Sequence, residues 1–255
     1  MYQVLPDNGP FLGDNSITII GENLGDGVDI TSVMLNSVPA TIQTQTSTAV
    51  VVVAGTATVP GTGPVVLEST VFGSSTAVSA YTYNPPGVIT NVLPSSGRCF
   101  GGEFVTIIGN NLCNGIISDV TNVMLSGISA AVVVSSSRTQ IIVTSGTTWL
   151  ASIGNVSITS VSHGVTLSTN ATFQYRPSFV FSATNGSVME GAPVMTTVTV
   201  RLDAVPTADV VTFVSTNNER AMISPASLLF SSANWNIAQT VYLQAVWDYV
   251  QTPNA

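Results

Sequence analysis

The chain has 255 residues, of which 7% are charged, and its five cationic and 13 acidic residues give a net charge of -8. Nucleic-acid binding depends on clustered cations that neutralise phosphates, so this composition excludes a nucleic-acid partner. The longest apolar runs, 49–54 and 130–134, are much shorter than the roughly 20 residues of a membrane-spanning helix, so no span is expected in this segment.

Strand-forming residues occur in short runs along the whole chain. Hydrophobic residues make up 45% of the sequence and are rich in Val and Ile, which favours packed strands over disorder. In chain order, strands are predicted at 16–20, 49–53, 64–67, 80–83, 104–108, 131–134, 140–144, 155–160, 172–175, 197–202, 210–214, 227–230 and 239–245. Turn residues separate these runs, so the sequence predicts an all-β protein made of β-sandwiches.

The first two thirds of the chain contain an internal repeat. Residues 4–6, Val-Leu-Pro, recur at 92–94, and the strand at 17–21 recurs at 105–109, an offset of about 88 residues. A period of this length corresponds to a whole domain rather than to one rung of a solenoid. A function for this chain must therefore explain why a small domain occurs in tandem.

Prolines mark the predicted domain boundaries, at Asn-Pro-Pro-Gly (84–87) and Arg-Pro (176–177). Proline restricts its own backbone and that of the residue before it, so such short linkers favour a stiff, rod-like array. We predict three domains, at 1–86, 87–177 and 178–255. The third does not share the repeat of the first two and stops abruptly, so we expect it to be truncated.

A motif in both copies resembles the IPT/TIG family of immunoglobulin-like domains. It reads Pro-x-x-Gly-x-x-x-Gly, then an alternating strand, then Gly-x-Asn-Leu. Its residues are Pro6, Gly9, Gly13, Gly21, Asn23 and Leu24 in one copy and Pro94, Gly97, Gly101, Gly109, Asn111 and Leu112 in the other. The resemblance implies tandem immunoglobulin-like β-sandwiches of an extracellular protein, without catalysis. Residues 178–255 resemble Calx-β or cadherin-like repeats, through the segments 224–230 and 234–241.

Two cysteines occur together in the second copy. The first copy has Phe11 and Gly25 where the second has Cys99 and Cys113. This joint occurrence predicts a disulfide, whose loop of about 15 residues would contribute about 3 kcal/mol in the chain-entropy model. Two reduced thiols and bonds to other chains are the alternatives. A disulfide would indicate a location outside the cytosol.

The surface has few of the charged side chains that usually prevent soluble proteins from associating, since charge is sparse and lysine is absent from the sequence. We therefore expect attached sugars or neighbouring subunits to cover it. Sequons at Asn155, Asn170 and Asn185 predict N-linked glycosylation in a eukaryotic source, with unmodified asparagine as the alternative.

No cofactor, metal or catalytic site is expected. Glu22, Asp26 and Asp29 offer oxygen ligands for calcium, but their spacing matches no calcium loop, and solvated loop acids are the preferred interpretation. His163 is the single histidine and lies in a predicted turn without a nucleophile motif, so the chain is predicted not to be an enzyme. Three tryptophans offer sugar-stacking surfaces or core and interdomain anchors: Trp149, Trp235 and Trp247.

Three functions fit this pattern. The preferred one is a structural segment of a glycosylated extracellular or cell-surface protein that assembles with copies of itself into a fibre, sheath or hair. Low charge favours such assembly because it lowers the cost of desolvating domain faces. The second is an adhesin or receptor stalk that binds another surface protein or a glycan. The third is an accessory region of a secreted carbohydrate-active enzyme.

Overall fold

The computed structural model describes residues 3–183, 188, 195–217 and 219–246. This part of the chain consists of β-strands, connecting loops and a 3₁₀ turn at Ile117–Asp119. The predicted all-β class is confirmed. The strands form three successive units, which we call the N-terminal, middle and C-terminal units.

The N-terminal unit is a β-sandwich whose eight strands form one continuous hydrogen-bonded sheet, in the order β1-β3-β6-β5-β4-β7-β8-β2. The strands are β1 (Gln3–Leu5), β2 (Asn8–Pro10), β3 (Ser16–Ile20), β4 (Ile30–Leu35), β5 (Val38–Gln45), β6 (Ala49–Val53), β7 (Gly61–Ser69) and β8 (Gly73–Asn84). Strand β5 joins the two layers, because its first residues pair with β4 and its later residues pair with β6.

The core of this unit lies between the two layers. Alternation along β3 buries Ile17 and Ile19 completely, while Ser16 faces solvent, as the period of two in a strand requires. Tyr81 and Tyr83 enter from the other layer with their rings in an edge-to-face contact, 5.0 Å between centroids. Side chains from both layers thus form a single apolar cluster.

The middle unit repeats this arrangement with two separate sheets, ordered β10-β17-β16-β12-β13 and β14-β15-β11-β9. Its strands are β9 (Val88–Leu93), β10 (Ser96–Arg98), β11 (Phe104–Asn110), β12 (Val120–Leu125), β13 (Ile128–Ser129), β14 (Val132–Ser136), β15 (Gln140–Thr144), β16 (Ser152–Ser160) and β17 (Gly164–Arg176). Phe173 and Tyr175 take the places of Tyr81 and Tyr83, with the same 5.0 Å edge-to-face spacing.

The C-terminal unit has a smaller core of Val200, Leu202, Leu228, Phe230 and Val241. Its strands are β18 (Phe179–Phe181), β19 (Thr196–Leu202), β20 (Val210–Phe213), β21 (Ala221–Ser224), β22 (Ser227–Phe230) and β23 (Gln239–Ala245). They form one sheet ordered β18-β19-β23-β21 and a second of β20 and β22. This connectivity differs from that of the two preceding units.

The repeated motif fixes the loops beside β3 and β11. Gly13 and Gly101 have positive φ angles of 74° and 72°, and a Cβ atom at either position would collide with the backbone of a neighbouring loop, at Gly55 or Gly146 respectively. Glycine is therefore required twice in the same place. The two copies of the motif therefore share the same glycines and the same backbone conformation at those glycines.

Candidate functional site at the junctions between units

The first junction joins the N-terminal and middle units through a side-chain bridge. Asn84 lies at the end of β8, and its Nδ2 donates to Asn8 Oδ1 (2.9 Å) in its own unit and to the Ser162 carbonyl (2.7 Å) in the middle unit. Pro10 packs against Gly164 of the same turn, where a Cβ would lie 3.1 Å from the Pro10 ring. The turn between β16 and β17 is thus seated on the N-terminal unit.

A buried carboxylate holds this turn through hydrogen bonds. Asp119 accepts hydrogen bonds from the Asn114 amide (2.7 Å), the Ser162 amide (2.8 Å) and the Ser162 hydroxyl (2.5 Å). Its backbone carbonyl accepts from Val161 at 2.8 Å. The hydrogen bonds satisfy both carboxylate oxygens, as burial of a charge requires. Asp119 therefore positions the residues that contact the N-terminal unit.

His163 completes this network. Its Nδ1 lies 2.7 Å from Ser162 Oγ, and because the serine proton is donated to Asp119, Nδ1 carries the hydrogen. Burial lowers the pKa of His163, partly opposed by the Asp119 charge and reinforced by Arg138. The ring is therefore neutral at pH 7, and the network runs from His163 through Ser162 to Asp119.

The N-terminal unit contains an equivalent buried aspartate beneath an exposed turn. Asp29 accepts hydrogen bonds from the Asp26 amide (2.6 Å) and from Ser69 Oγ, and the Ser69 contact is the main cause that lowers the pKa of Asp29. The turn that it supports carries Val71 and Phe72, which are 62% and 57% exposed. These residues occupy the positions of Ser162 and His163, so the equivalent turn presents an apolar tip.

The second junction joins the middle and C-terminal units through the backbone. The Val205 amide donates to the Trp149 carbonyl (2.9 Å), and the Ala151 amide donates to the Val205 carbonyl (2.8 Å). Ala204, beside Val205, is completely buried in the core cluster of the middle unit. One residue of the C-terminal unit therefore belongs to the core of its neighbour.

A groove lies beside this second junction. Trp149 and Phe100 of the middle unit line it together with Val180, Arg201 and Asp203 of the C-terminal unit. The groove has a volume of about 400 Å³. Trp149 is 78% exposed and Phe100 is 74% exposed. Aromatic surface is thus held at a fixed backbone position and left open to solvent.

Comparison with protein families decides the identity of the two repeated units. The model of the IPT/TIG domain matches residues 1–83 and again residues 88–175, about two thirds of the chain. The chain belongs to the IPT/TIG family. Comparison with curated protein sequences gave no significant match.

Solved structures support the fold of these TIG units. The chain is similar to the extracellular region of plexin A4 over 97% of its own length and 21% of that region, at 20% identity with a TM-score of 0.51. A second plexin A4 extracellular structure matches at 24% identity, over 68% of this chain and 18% of that one, with a TM-score of 0.47. The chain thus spans about a fifth of the plexin regions that it matches.

A surface glycan-binding protein from a xyloglucan utilization locus of Bacteroides uniformis is also similar. It matches over 95% of this chain and 93% of its own, at 11% identity and a TM-score of 0.29. The plexin A4 region is extracellular by its description, and the sequence predicts an extracellular or cell-surface location for this chain. No described helix is long and apolar enough to cross a membrane.

The structure contains no bond between Cys99 and Cys113, so it does not support the predicted disulfide. Cys99 and Cys113 are both free and buried in the second TIG unit. They flank β11, a seven-residue strand, which separates its two ends by roughly 20 Å. A disulfide requires Cα atoms within about 7 Å. In the structure the two thiols are unbonded, and they serve as small core side chains.

The two thiols have different surroundings in the middle unit. Burial raises the pKa of Cys99 to about 11, with a further contribution from Asp203. Cys113 Sγ donates to the Ser137 carbonyl at 3.2 Å.

The sequons of the second TIG unit are accessible. Asn155 in β16 and Asn170 in β17 both have exposed side chains. Asn170 lies in a bulge, because residues 168–171 lie opposite the single residue Val156. Asn185 lies outside the described residues. Glycosylation at these sites stays a prediction.

The acids considered as calcium ligands do not converge. Asp29 is buried and each of its carboxylate oxygens accepts a hydrogen bond, and the described residues contain no group of three acidic, histidine or cysteine side chains placed to hold a metal ion. The sequence placed Asn84 in the first boundary without assigning it a bridging role, and it did not identify Ser162 or Ala204 as junction residues. The repeated Asp29 and Asp119 offered a signal for the first junction, whereas a lone buried alanine offered none for the second.

Proposed function

We propose that this chain is a non-catalytic stalk segment of an extracellular protein, in which TIG units act as stiff spacers. The observation that carries this proposal is the insertion of Ala204 into the core of the preceding unit, beside two backbone hydrogen bonds. A flexible linker could not keep that contact. IPT/TIG domains are non-catalytic, which supports a mechanical rather than an enzymatic role.

The first junction supports the same role by different chemistry. The Asn84 bridge ties the end of β8 to a turn that Asp119 already braces. Because both junctions fix the next unit at its point of contact, the angle between units is set by structure rather than by a random linker. We assign the domains to residues 1–86, 87–177 and 178–255, with the third of the Calx-β or cadherin-like type.

We further propose that such stalks assemble with copies of themselves into a fibre, sheath or hair. The chain has few charges to oppose contact, and Val71 and Phe72 form an apolar tip on the turn whose counterpart is seated on a neighbouring unit. Large exposed apolar side chains favour association. N-linked sugar at Asn155, Asn170 and Asn185 would cover faces that remain outside contacts.

Small-angle X-ray scattering of the purified chain tests the stalk. We expect an extended particle whose profile fits one arrangement of three units. A compact particle, or a profile that requires a broad ensemble of angles between units, would contradict a stiff spacer. Light scattering and intact-mass measurement of the native protein test assembly and glycosylation separately, since an unmodified monomer at all concentrations would exclude both.

A further inference from the structure

The groove beside the second junction joins an aromatic platform to polar groups. The Trp149 backbone is fixed by the hydrogen bond from Val205, and the amide of the adjacent Thr148 donates to the Cys99 carbonyl at 2.9 Å. The indole is nevertheless 78% exposed, although an exposed tryptophan on a rigid backbone leaves a large apolar surface in water. Phe100, from the loop after β10, is a second exposed aromatic side chain that lines the groove.

Polar side chains of the C-terminal unit form the other side of the groove. Asp203 Oδ1 accepts from the Ser178 amide (2.6 Å), and Arg201 Nη1 donates to the Leu202 carbonyl (3.2 Å). These contacts hold both side chains in place and leave donor and acceptor capacity for a ligand, because a guanidinium has five N–H groups and a carboxylate has two oxygens. Across the described residues, the single salt bridge is that of Arg98 with Glu103, so Arg201 and Asp203 form none there.

This combination defines the chemistry of the ligand. A ligand for this groove needs one flat apolar face for Trp149 and Phe100, and hydroxyl groups that can both donate and accept at its edge for Arg201 and Asp203. A hexopyranose ring has both, since its axial C–H groups form an apolar face and its hydroxyls lie around the rim. A volume of about 400 Å³ accommodates one or two such rings.

We propose that the groove between Trp149 and Arg201 is a binding site for hexopyranose units of a neutral polysaccharide. A neutral ligand fits best because the groove contains one arginine and one aspartate and the chain as a whole carries a charge of -8, which opposes anionic polymers. The site adds recognition to the stalk and does not depend on the stalk proposal, because the groove needs only its own junction.

Affinity electrophoresis tests this site with the intact chain. Because the chain is strongly acidic, it migrates freely in native gels, and binding to a polymer in the gel retards it. The probes are xyloglucan, mixed-linkage β-glucan and galactomannan, with polygalacturonate as the anionic comparison. We expect retardation by at least one neutral polymer, at least tenfold weaker binding after Trp149→Ala, and partial retention after Trp149→Phe.

Matched variants separate stacking from damage to the fold. Phe213→Ala removes an aromatic ring that is 82% exposed on the C-terminal unit and lies outside the groove, so its binding should equal that of the parent. Phe100→Ala should weaken binding without a change in the scattering profile. Absence of retardation by all three neutral polymers, retention of binding in Trp149→Ala, or retardation by polygalacturonate alone would each overturn the proposal.

Discussion

The side chain of Asn84 in the N-terminal TIG unit donates a 2.7 Å hydrogen bond to the Ser162 carbonyl in the middle TIG unit. The same amide group also bonds Asn8 in its own unit, so a single side chain couples the end of β8 to the neighbouring turn. Since Asp119 holds Ser162 through two further hydrogen bonds, the coupling extends into the interior of the middle unit.

Removal of this bridge should loosen the first junction. Asn84→Ala is expected to cost about 0.5–1.5 kcal/mol, the usual net value of a hydrogen bond, and to broaden the distribution of angles between the two units. Small-angle scattering and thermal unfolding measure these effects. Asn155→Ala is the control, because that exposed side chain lies on β16 away from the junction; equal effects in both variants would contradict a role for the bridge.

His163 should make stability depend on pH. Burial lowers its pKa in the folded state, so the unfolded chain, with an ordinary histidine pKa of about 6.5, takes up the proton first as the pH falls. The unfolding free energy should therefore decrease from about pH 7 downward, by at most about 1.4 kcal/mol per pH unit for one proton. Chemical denaturation of the parent and of His163→Gln isolates the contribution of this network, since acidic residues outside it contribute equally to both. Parallel profiles would exclude it.

The cysteines should behave as buried free thiols. A thiol reagent should label neither Cys99 nor Cys113 in the native chain and should label both in denaturant, because each is buried and the pKa of Cys99 is raised to about 11. A reducing agent should leave the melting temperature unchanged. Failure to detect two thiols in denaturant would show that a disulfide forms in the purified protein.

Enlargement of Ala204 should disrupt the second junction. This side chain is completely buried in the core of the middle unit, so Ala204→Leu must displace packed neighbours at a cost of about 1–3 kcal/mol. Two-step unfolding, with early loss of the C-terminal unit, is the expected signature in calorimetry. Ala233→Leu is the matched control at an exposed position. An unchanged transition in Ala204→Leu would show that the junction opens readily.

The apolar tip of the N-terminal unit should promote self-association. Phe72→Ser removes a ring that is 57% exposed, and we expect a lower weight-average mass in light scattering at high protein concentration. Val78→Ser, at a position that is 82% exposed on β8, controls for a general loss of surface hydrophobicity. Equal reductions in both variants would indicate non-specific association rather than contact through the turn.

Local patterns predicted much of the fold. Strands β3 and β6 have the predicted bounds, 16–20 and 49–53, because alternating apolar residues there face a core on one side. Strands β4 and β5 were missed, and β8 begins at Gly73 rather than at 80. The alternation in β5 is weak, because Val38, Ala40 and Ile42 are only half-buried against the core and Pro39 interrupts the run.

The sequence by itself determined the all-β class, the duplication and the family, because strand periodicity and motif glycines act over a few residues and remain visible in the order of the residues. Tertiary structure alone decided that Cys99 and Cys113 stay apart, that Asn84 reaches Ser162, and that Ala204 enters the core of a neighbouring unit. Those outcomes depend on the paths of the loops around β11 and on the contacts between folded units. Neither is encoded in the spacing of residues along the chain.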